Sequence, residues 1–444
     1  MDRLTLVRYL VLLVPLAGLA LAWRLRPDRA ATSREAAAAG LALTTALVGI
    51  SALDALAQPA GWWSYPSVTG RLRGMPVDLW LGWALLWGPV PVLLRHWLPV
   101  PYALALLAWI DLVALPELHP LLRLGPAWLL GETIGLAAVA LPALLLGRWT
   151  AQRRRLTART TLQLATFAGL LLWLLPAVAI DLGDGSWRRL AALESWQAAL
   201  LLQTVAAVAV PGVAAVRELV GVGGGTPFPW DPPTRLVVTG PYAYLANPMQ
   251  LSGVALLLVA AFAVGSWSLA AGAVLAVAFS AVVAGPHEQA AMLARWGSRY
   301  LAYAAAVRPW WPRRYPYLTG EARIWLGTGV NPCQPCLVVA RRLHRLRPAG
   351  LRIEPAWSHP RTLWRARYEG PPGTEADGVA ALARALEHTR LDLAYLGWVA
   401  RTPVLDRLVQ LFADGLGAGP RPAPGRPGDS ELAGGERWPT PGSG

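Results

Sequence analysis

Two stretches of the sequence, GPYAYLANPM at 240–249 and HEQAAMLARWGSRYLAYAAAVRPWWP at 287–312, enclose a pair of apolar segments. The segments cover 251–264 and 267–284, and only Gly265 and Ser266 separate them. So short a link between two apolar helices predicts a tight turn within a membrane. Both polar stretches are therefore expected to emerge on the same face of the bilayer, with Asn247 near Glu288.

The composition of the whole chain also predicts a membrane protein. Of its 444 residues 55% are hydrophobic, 23 are Trp, and the mean hydropathy is +0.40. We expect a mainly α-helical fold, with a polytopic domain of about nine spans followed by a small C-terminal α/β domain. The predicted spans are 4–23, 37–57, 76–94, 98–116, 127–147, 161–181, 195–215, 249–265 and 267–285.

The basic residues help to predict the topology. The net charge is +14, yet every basic residue is Arg and these residues are spread through the loops, which does not favour a nucleic-acid partner. The clusters at 24–34 and 148–159 lie on one predicted side, which the positive-inside rule makes cytoplasmic. Residues after 284 fall on that side, so the C-terminal domain is expected to be cytoplasmic in a bacterial-type plasma membrane. Arg residues at 71, 73, 188 and 189 oppose this topology.

Three carboxylic acids, Asp54, Asp111 and Glu132, lie inside predicted spans. A charge there is costly unless it is neutralised or faces a wet cavity, so a functional role is one interpretation. The other is that these groups are protonated or hydrogen-bonded between helices. No metal site is expected, because the six His residues lack the spacing of ligands.

The two polar stretches resemble the isoprenylcysteine carboxyl methyltransferase and phospholipid methyltransferase family of membrane enzymes. That family carries a Gly-Pro-Tyr-x-Tyr-x-Arg-(Asn or His)-Pro-x-Tyr block, two membrane segments, and a block that begins Glu-Glu-x-x-Leu. The resemblance covers roughly a sixth of the chain. The agreeing positions are Gly240, Pro241, Tyr242, Tyr244, Asn247, Pro248, Glu288, Gly297, Tyr300, Tyr303, Val307 and Pro312.

This resemblance implies an S-adenosylmethionine-dependent methyltransferase that acts on an amphiphilic substrate, such as a prenylcysteine carboxylate or a lipid. Ala246 stands at the family Arg, and Gln250 and Gln289 stand at a family Tyr and Glu, so a cation that pairs with the cofactor carboxylate is missing from its usual place. Methyl transfer mainly requires alignment and exclusion of water. The cofactor-binding residues that the resemblance implies are Gly240, Tyr242, Tyr244, Asn247, Pro248, Glu288 and Tyr300.

A structural interpretation of the same stretches stays open. Gly240 and Pro248 are ordinary turn residues by type, and the Arg and Trp residues between 295 and 313 would suit an anchor at the membrane surface.

After residue 314 the sequence predicts a soluble β-C-x-x-C-α-β unit, with strands at 322–329 and 351–357 and a helix at 337–347. Cys333 and Cys336 are the only cysteines and stand at the helix start, where the dipole and free N–H groups stabilise a thiolate. They are the candidate catalytic residues: Cys333 is expected to be the reactive thiol and Cys336 its buried partner. Zinc would need a second ligand pair, which one chain does not supply.

Residues 322–420 resemble the DCC family of thiol-disulfide oxidoreductases, a thioredoxin-like group, although the signature Asp is Val330 here. This resemblance implies dithiol chemistry with a thiol redox partner. The predicted domains are 1–220 (helices of unknown role), 221–316 (methyltransferase core), 317–420 (thioredoxin-like) and 421–444 (a disordered tail rich in Gly and Pro).

Three hypotheses follow from the sequence. The first is a membrane methyltransferase fused to a dithiol module. The second is a membrane-anchored thiol-disulfide oxidoreductase whose methyltransferase-like part is a relic or structural. The third is a non-enzymatic protein, structural or partner-binding, in which both modules are relics.

Overall fold

The structure is a computed structural model that describes residues 2–26, 32–228, 230–328 and 334–420. It is mainly helical. The helices are α1 (Arg3–Leu25), α2 (Thr32–Ala57), α3 (Val77–Trp87), α4 (Pro89–Leu93), α5 (Val100–Glu117), α6 (Trp128–Gly135), α7 (Leu141–Gln152), α8 (Leu156–Gly169), α9 (Leu175–Asp181), α10 (Arg188–Ala191), α11 (Ser195–Gly221), α12 (Pro248–Val264), α13 (Trp267–Phe279), α14 (Gly285–Trp296), α15 (Ser298–Ala306), α16 (Gln334–Leu346), α17 (Val379–Leu386), α18 (Leu391–Ala400) and α19 (Leu405–Ala413).

The strands are short: β1 (Trp63–Ser64), β2 (Arg71–Leu72), β3 (Met75–Pro76), β4 (Arg123–Leu124), β5 (Ala322–Leu326), β6 (Leu351–Pro355), β7 (Arg367–Glu369) and β8 (Ala376–Asp377). The chain forms two compact units. The membrane unit comprises residues 1–205, 225–232 and 253–283, and the C-terminal unit comprises 206–224, 233–252 and 284–444.

Six helical segments in the described parts of the chain are long and apolar enough to cross a membrane, or seven if the bent pair Trp267–Val283 and Glu288–Trp296 counts as one span. These segments fit an integral membrane protein. The predicted count of nine is not confirmed, because the apolar helices Val77–Leu93 and Pro248–Val264 are shorter. The first of these is interrupted where Gly88 and Pro89 end α3 and begin α4.

The membrane unit is built around α2, α3 and α7, with tryptophan rings in its core. Trp63, Trp83 and Trp87 are all buried there. Helices α1 and α3 cross at Gly82, where an added Cβ would come 1.8 Å from the carbonyl oxygen of Val11. Only glycine permits this close approach between two backbones.

Two helices, α12 and α13, stand at the positions of the predicted hairpin. Gly265 turns the chain with a φ of +71°, and the Ser266 hydroxyl accepts a hydrogen bond from Leu269 N as the cap of α13. Asp184 fixes the same turn, because its carboxylate accepts hydrogen bonds from the Ser266 hydroxyl and the Ser268 N–H, both at 2.7 Å. Hydrogen bonding lowers the pKa of Asp184 to about 2, with the largest effect from Ser268 and the next from Ser266.

The C-terminal unit contains a four-stranded sheet in the order β6-β5-β7-β8. β5 is parallel to β6 and antiparallel to β7, and β7 is antiparallel to β8. Helix α16 connects the two parallel strands, and its Ala340 and Leu343 pack with Ile324, Leu326 and Ala385. The predicted strand, helix and strand are thus confirmed, with bounds that differ by a few residues.

Candidate functional site

The first polar stretch forms a tight helical turn, Gly240–Ala243, whose four residues are buried. Gly240 has a φ of +59°, and an added Cβ would lie 2.6 Å from Cγ of Glu218. Both the backbone conformation and the space therefore require glycine at this position. Glu218 lies on α11, so the absence of a side chain at Gly240 allows the turn to pack against this helix.

The two polar stretches, which are far apart in sequence, are hydrogen-bonded to each other. Ala246 N donates to the carbonyl oxygen of Arg308 at 3.0 Å, and Asn247 N donates to that of Pro309 at 3.3 Å. The Tyr303 hydroxyl donates to the carbonyl oxygen of Tyr242, 61 residues away in sequence, at 2.9 Å. The candidate site is therefore one structure within the C-terminal unit, formed by 240–248 and 285–313.

Glu288 influences two tyrosines of this site, Tyr242 and Tyr300, electrostatically. It is exposed in the first turn of α14. Burial raises the pKa of Tyr242, and the neighbouring Tyr303 and Glu288 raise it further. Burial and the Glu288 carboxylate likewise raise the pKa of Tyr300, which is half-buried on α15. Glu288, Tyr242 and Tyr300 are thus electrostatic neighbours.

Asn247 is half-buried just before α12, and Pro248 is buried as the first residue of that helix. The Asn247 carbonyl oxygen accepts a hydrogen bond from Leu251 N, as expected at a helix start. That Asn247 and Glu288 face one cavity stays a prediction.

Tyr244 occupies a different environment from the one that the family resemblance implies. It is fully buried, and its hydroxyl donates to the carbonyl oxygens of Glu387 at 2.9 Å and Thr389 at 3.2 Å. Its ring contacts Trp398 edge-on at 5.7 Å. The hydroxyl therefore joins the 240–247 turn to the α17–α18 region, and a role of Tyr244 in cofactor binding stays a prediction.

A buried network of ion pairs, which the sequence does not predict, lies beside this turn. The Glu218 carboxylate is 1% exposed and accepts hydrogen bonds from Arg384 at 2.8 Å, Arg401 at 3.0 Å and the Thr239 hydroxyl at 2.7 Å. Glu387 pairs with the same two Arg residues. Burial by itself lowers the pKa of Arg384, but the two carboxylates outweigh it and raise the pKa. The network therefore joins two carboxylates and two guanidinium groups.

The candidate thiol site is described only in part. Cys336 is half-buried in the first turn of α16, whereas the sequence predicted a buried residue. Cys333 and Val330 lie outside the described residues. Within the described ranges, no group of three or more His, Cys, Asp or Glu side chains could hold a metal ion.

Comparison of the chain with protein-family models, with curated proteins and with solved structures finds no match. The geometry of the chain's own residues therefore carries the functional argument.

Proposed function

We propose that this protein is an integral membrane methyltransferase that uses S-adenosylmethionine. The observation that supports the proposal is the hydrogen bonding between the two polar stretches, whose Glu288, Tyr242 and Tyr300 interact electrostatically. A motif whose halves were mere turns and membrane anchors would not need to pair backbone to backbone across an apolar hairpin. The pairing instead supports a single site built from both halves.

The residues fit one end of the cofactor better than the other. Glu288 offers an exposed carboxylate for an ammonium group, and Asn247 and Tyr300 offer further polar contacts. Ala246 supplies no cation, and the N–H groups of Ala246 and Asn247 are already used by carbonyl oxygens of the second stretch. When bound, the cofactor would supply an electrophilic methyl group. The role of the protein is to align the methyl acceptor with the methyl group and to exclude water.

The proposed methyl acceptor is amphiphilic, since the chain has the helices of a membrane protein. A carboxylate acceptor, as in a prenylcysteine, needs no general base. An amine acceptor must lose a proton before it attacks, and Glu288 is the group of this site that could accept it.

Isothermal titration calorimetry with S-adenosylmethionine on the full-length protein in detergent tests the proposal. We expect saturable binding that Glu288→Ala weakens by at least about tenfold, which corresponds to ~1.4 kcal/mol. Ala246→Arg should strengthen binding, because it provides a cation for the cofactor carboxylate. Glu117→Gln, at an exposed position on α5 in the other unit, is the matched control and should bind like the wild type. Absence of binding, or equal binding by Glu288→Ala, would reject the proposal.

A second candidate function is thiol-disulfide exchange by a thioredoxin-like module at 317–420, which we place in the cytoplasm. The sheet order β6-β5-β7-β8, with Cys336 in the first turn of the helix after β5, supports it. Mass-spectrometric mapping of iodoacetamide labelling at neutral pH tests it, with faster labelling of Cys333 than of Cys336 expected. Slow, equal labelling and no disulfide after mild oxidation would leave methyl transfer as the remaining activity. An alkaline-phosphatase fusion after Gly419 tests the cytoplasmic location, and an active fusion would contradict it.

A further inference from the structure

Two carboxylic acids that interact electrostatically are buried in the core of the membrane unit, and neither belongs to the candidate site. Asp111 on α5 is 2% exposed and Glu132 on α6 is 3% exposed, and each influences the other electrostatically. Asp111 accepts a hydrogen bond from the Trp87 indole at 2.8 Å. Neither carboxyl oxygen of Glu132 has a hydrogen-bond partner among the described residues. An ionised Glu132 would therefore be buried without any compensating donor.

The surroundings of this pair are built from a row of indole rings. Trp83 packs against Trp87 with ring centres 5.0 Å apart. The Trp83 indole N–H is buried, has no acceptor among the described residues and belongs to the groups that act on Asp111. Gly135, on the same helix as Glu132, leaves room for the row, since an added Cβ would come 2.6 Å from the Trp87 ring. The Trp87 N–H therefore binds Asp111 and the Trp83 N–H lies near it, in otherwise apolar surroundings.

The charged groups on the packed elements have other partners or are exposed. On α2, Asp54 accepts hydrogen bonds from Trp63, Tyr65 and Gln58, and Glu35 pairs with Arg95. Arg148 on α7 donates to the carbonyl oxygens of Pro91 and Leu98. Arg123 in β4 and Glu117 at the end of α5 are exposed. No cation among the described residues therefore neutralises the pair.

We propose that Asp111 and Glu132 together bind one exchangeable proton, which makes the pair a proton-binding site inside the membrane unit. Two adjacent carboxylates in a low-dielectric core cannot both stay ionised, because each would destabilise the charge of the other. Glu132 carries the proton and donates a hydrogen bond to Asp111. The indole donors stabilise the negative charge of Asp111. One shared proton thus gives Glu132 the partner that it otherwise lacks. This proposal does not depend on the methyltransferase hypothesis.

Infrared spectroscopy of the full-length protein in lipid nanodiscs at neutral pH tests the proposal. The wild type should show the carbonyl stretch of a protonated carboxyl group, with the shift expected on hydrogen–deuterium exchange. Glu132→Gln should abolish this band, whereas Asp54→Asn should leave it unchanged because Asp54 has three donors of its own and is not part of the pair. A wild-type spectrum without the band, or a band that survives in Glu132→Gln, would overturn the proposal.

Asp111→Asn is the second variant, and it guards against a failure of Glu132→Gln to fold. Removal of the adjacent charge leaves Glu132 protonated next to an amide, so the band should remain but move in frequency. An unmoved band in Asp111→Asn would show that the protonated group is not next to Asp111 and would also overturn the proposal.

Discussion

Glu218→Gln is the perturbation that tests most directly how the C-terminal unit is held together. Glu218 is 1% exposed, and its carboxylate accepts hydrogen bonds from Arg384, Arg401 and the Thr239 hydroxyl. The substitution keeps the shape of the side chain but changes the network from two anions and two cations to one anion and two cations. Loss of one partner of a buried ion pair costs about 3–5 kcal/mol, since the remaining charge stays buried. We expect a decrease in the free energy of unfolding of this size.

Chemical and thermal unfolding of the full-length protein in one detergent measures this effect, with intrinsic tryptophan fluorescence as the signal. Arg217→Gln is the matched control on the same helix. Its partner Asp406 is 3.9 Å away and both side chains are 35% exposed, so we expect a change of at most about 1 kcal/mol.

The double variant Glu218→Gln, Arg401→Gln separates charge imbalance from general damage. It restores equal numbers of anions and cations, so it should be destabilised by less than the sum of the two single variants, by about 1 kcal/mol or more. A loss below about 1 kcal/mol in Glu218→Gln, or strict additivity in the double variant, would refute the argument that the buried network operates as one unit.

Three further substitutions test other contacts. Gly240→Ala adds a Cβ at a φ of +59°, 2.6 Å from Cγ of Glu218. We expect the free energy of unfolding, measured by thermal unfolding, to fall by roughly 1–3 kcal/mol. An unchanged melting temperature would contradict the turn geometry. Tyr244→Phe removes the donor to two buried carbonyl oxygens and should cost about 1–3 kcal/mol, whereas a neutral effect would mean that water replaces it. His388→Gln should flatten the pH dependence of stability. Burial lowers the pKa of His388 from the ordinary value of 6.5, so below this pH the folded state binds fewer protons than the unfolded state. The wild type should therefore lose stability as the pH falls below 6.5. An equal loss in the variant would exclude His388 as the cause.

Local patterns in the sequence predicted those parts of the fold that depend on near neighbours. The hairpin follows from two apolar runs bounded by Pro248 and by the Gly265–Ser266 turn, and the structure has α12 and α13 at these positions. The β5-α16-β6 unit likewise follows from short apolar runs on either side of an amphipathic helix. The residues that determine which face of an element is apolar, and where it begins and ends, lie within or next to that element. The periodicity of apolar residues is therefore sufficient to find it.

The contacts that build the candidate site could not be predicted in this way. Glu218 stands near the end of a long apolar helix, and nothing near it in sequence indicates that its partners are Arg384 and Arg401. Tyr244 matched a family motif, yet its hydroxyl is used by backbone groups more than 140 residues later. Motif spacing reports which residue types recur and does not report the partner of each side chain.

The predicted boundary between residues 316 and 317 falls within a continuous set of contacts. Tyr317 N donates to the carbonyl oxygen of Ala243 at 2.8 Å, the Tyr244 hydroxyl donates to Glu387, and Glu218 pairs with Arg384. Truncation at this boundary would remove the partners of Glu218 and would expose to water the surfaces that pack around Tyr244 and Trp398. Separate fragments would then fail for structural reasons, whichever of the two proposed activities is present. The methyl-transfer and dithiol hypotheses must therefore be distinguished by point substitutions at Glu288 and at the cysteines in the intact chain.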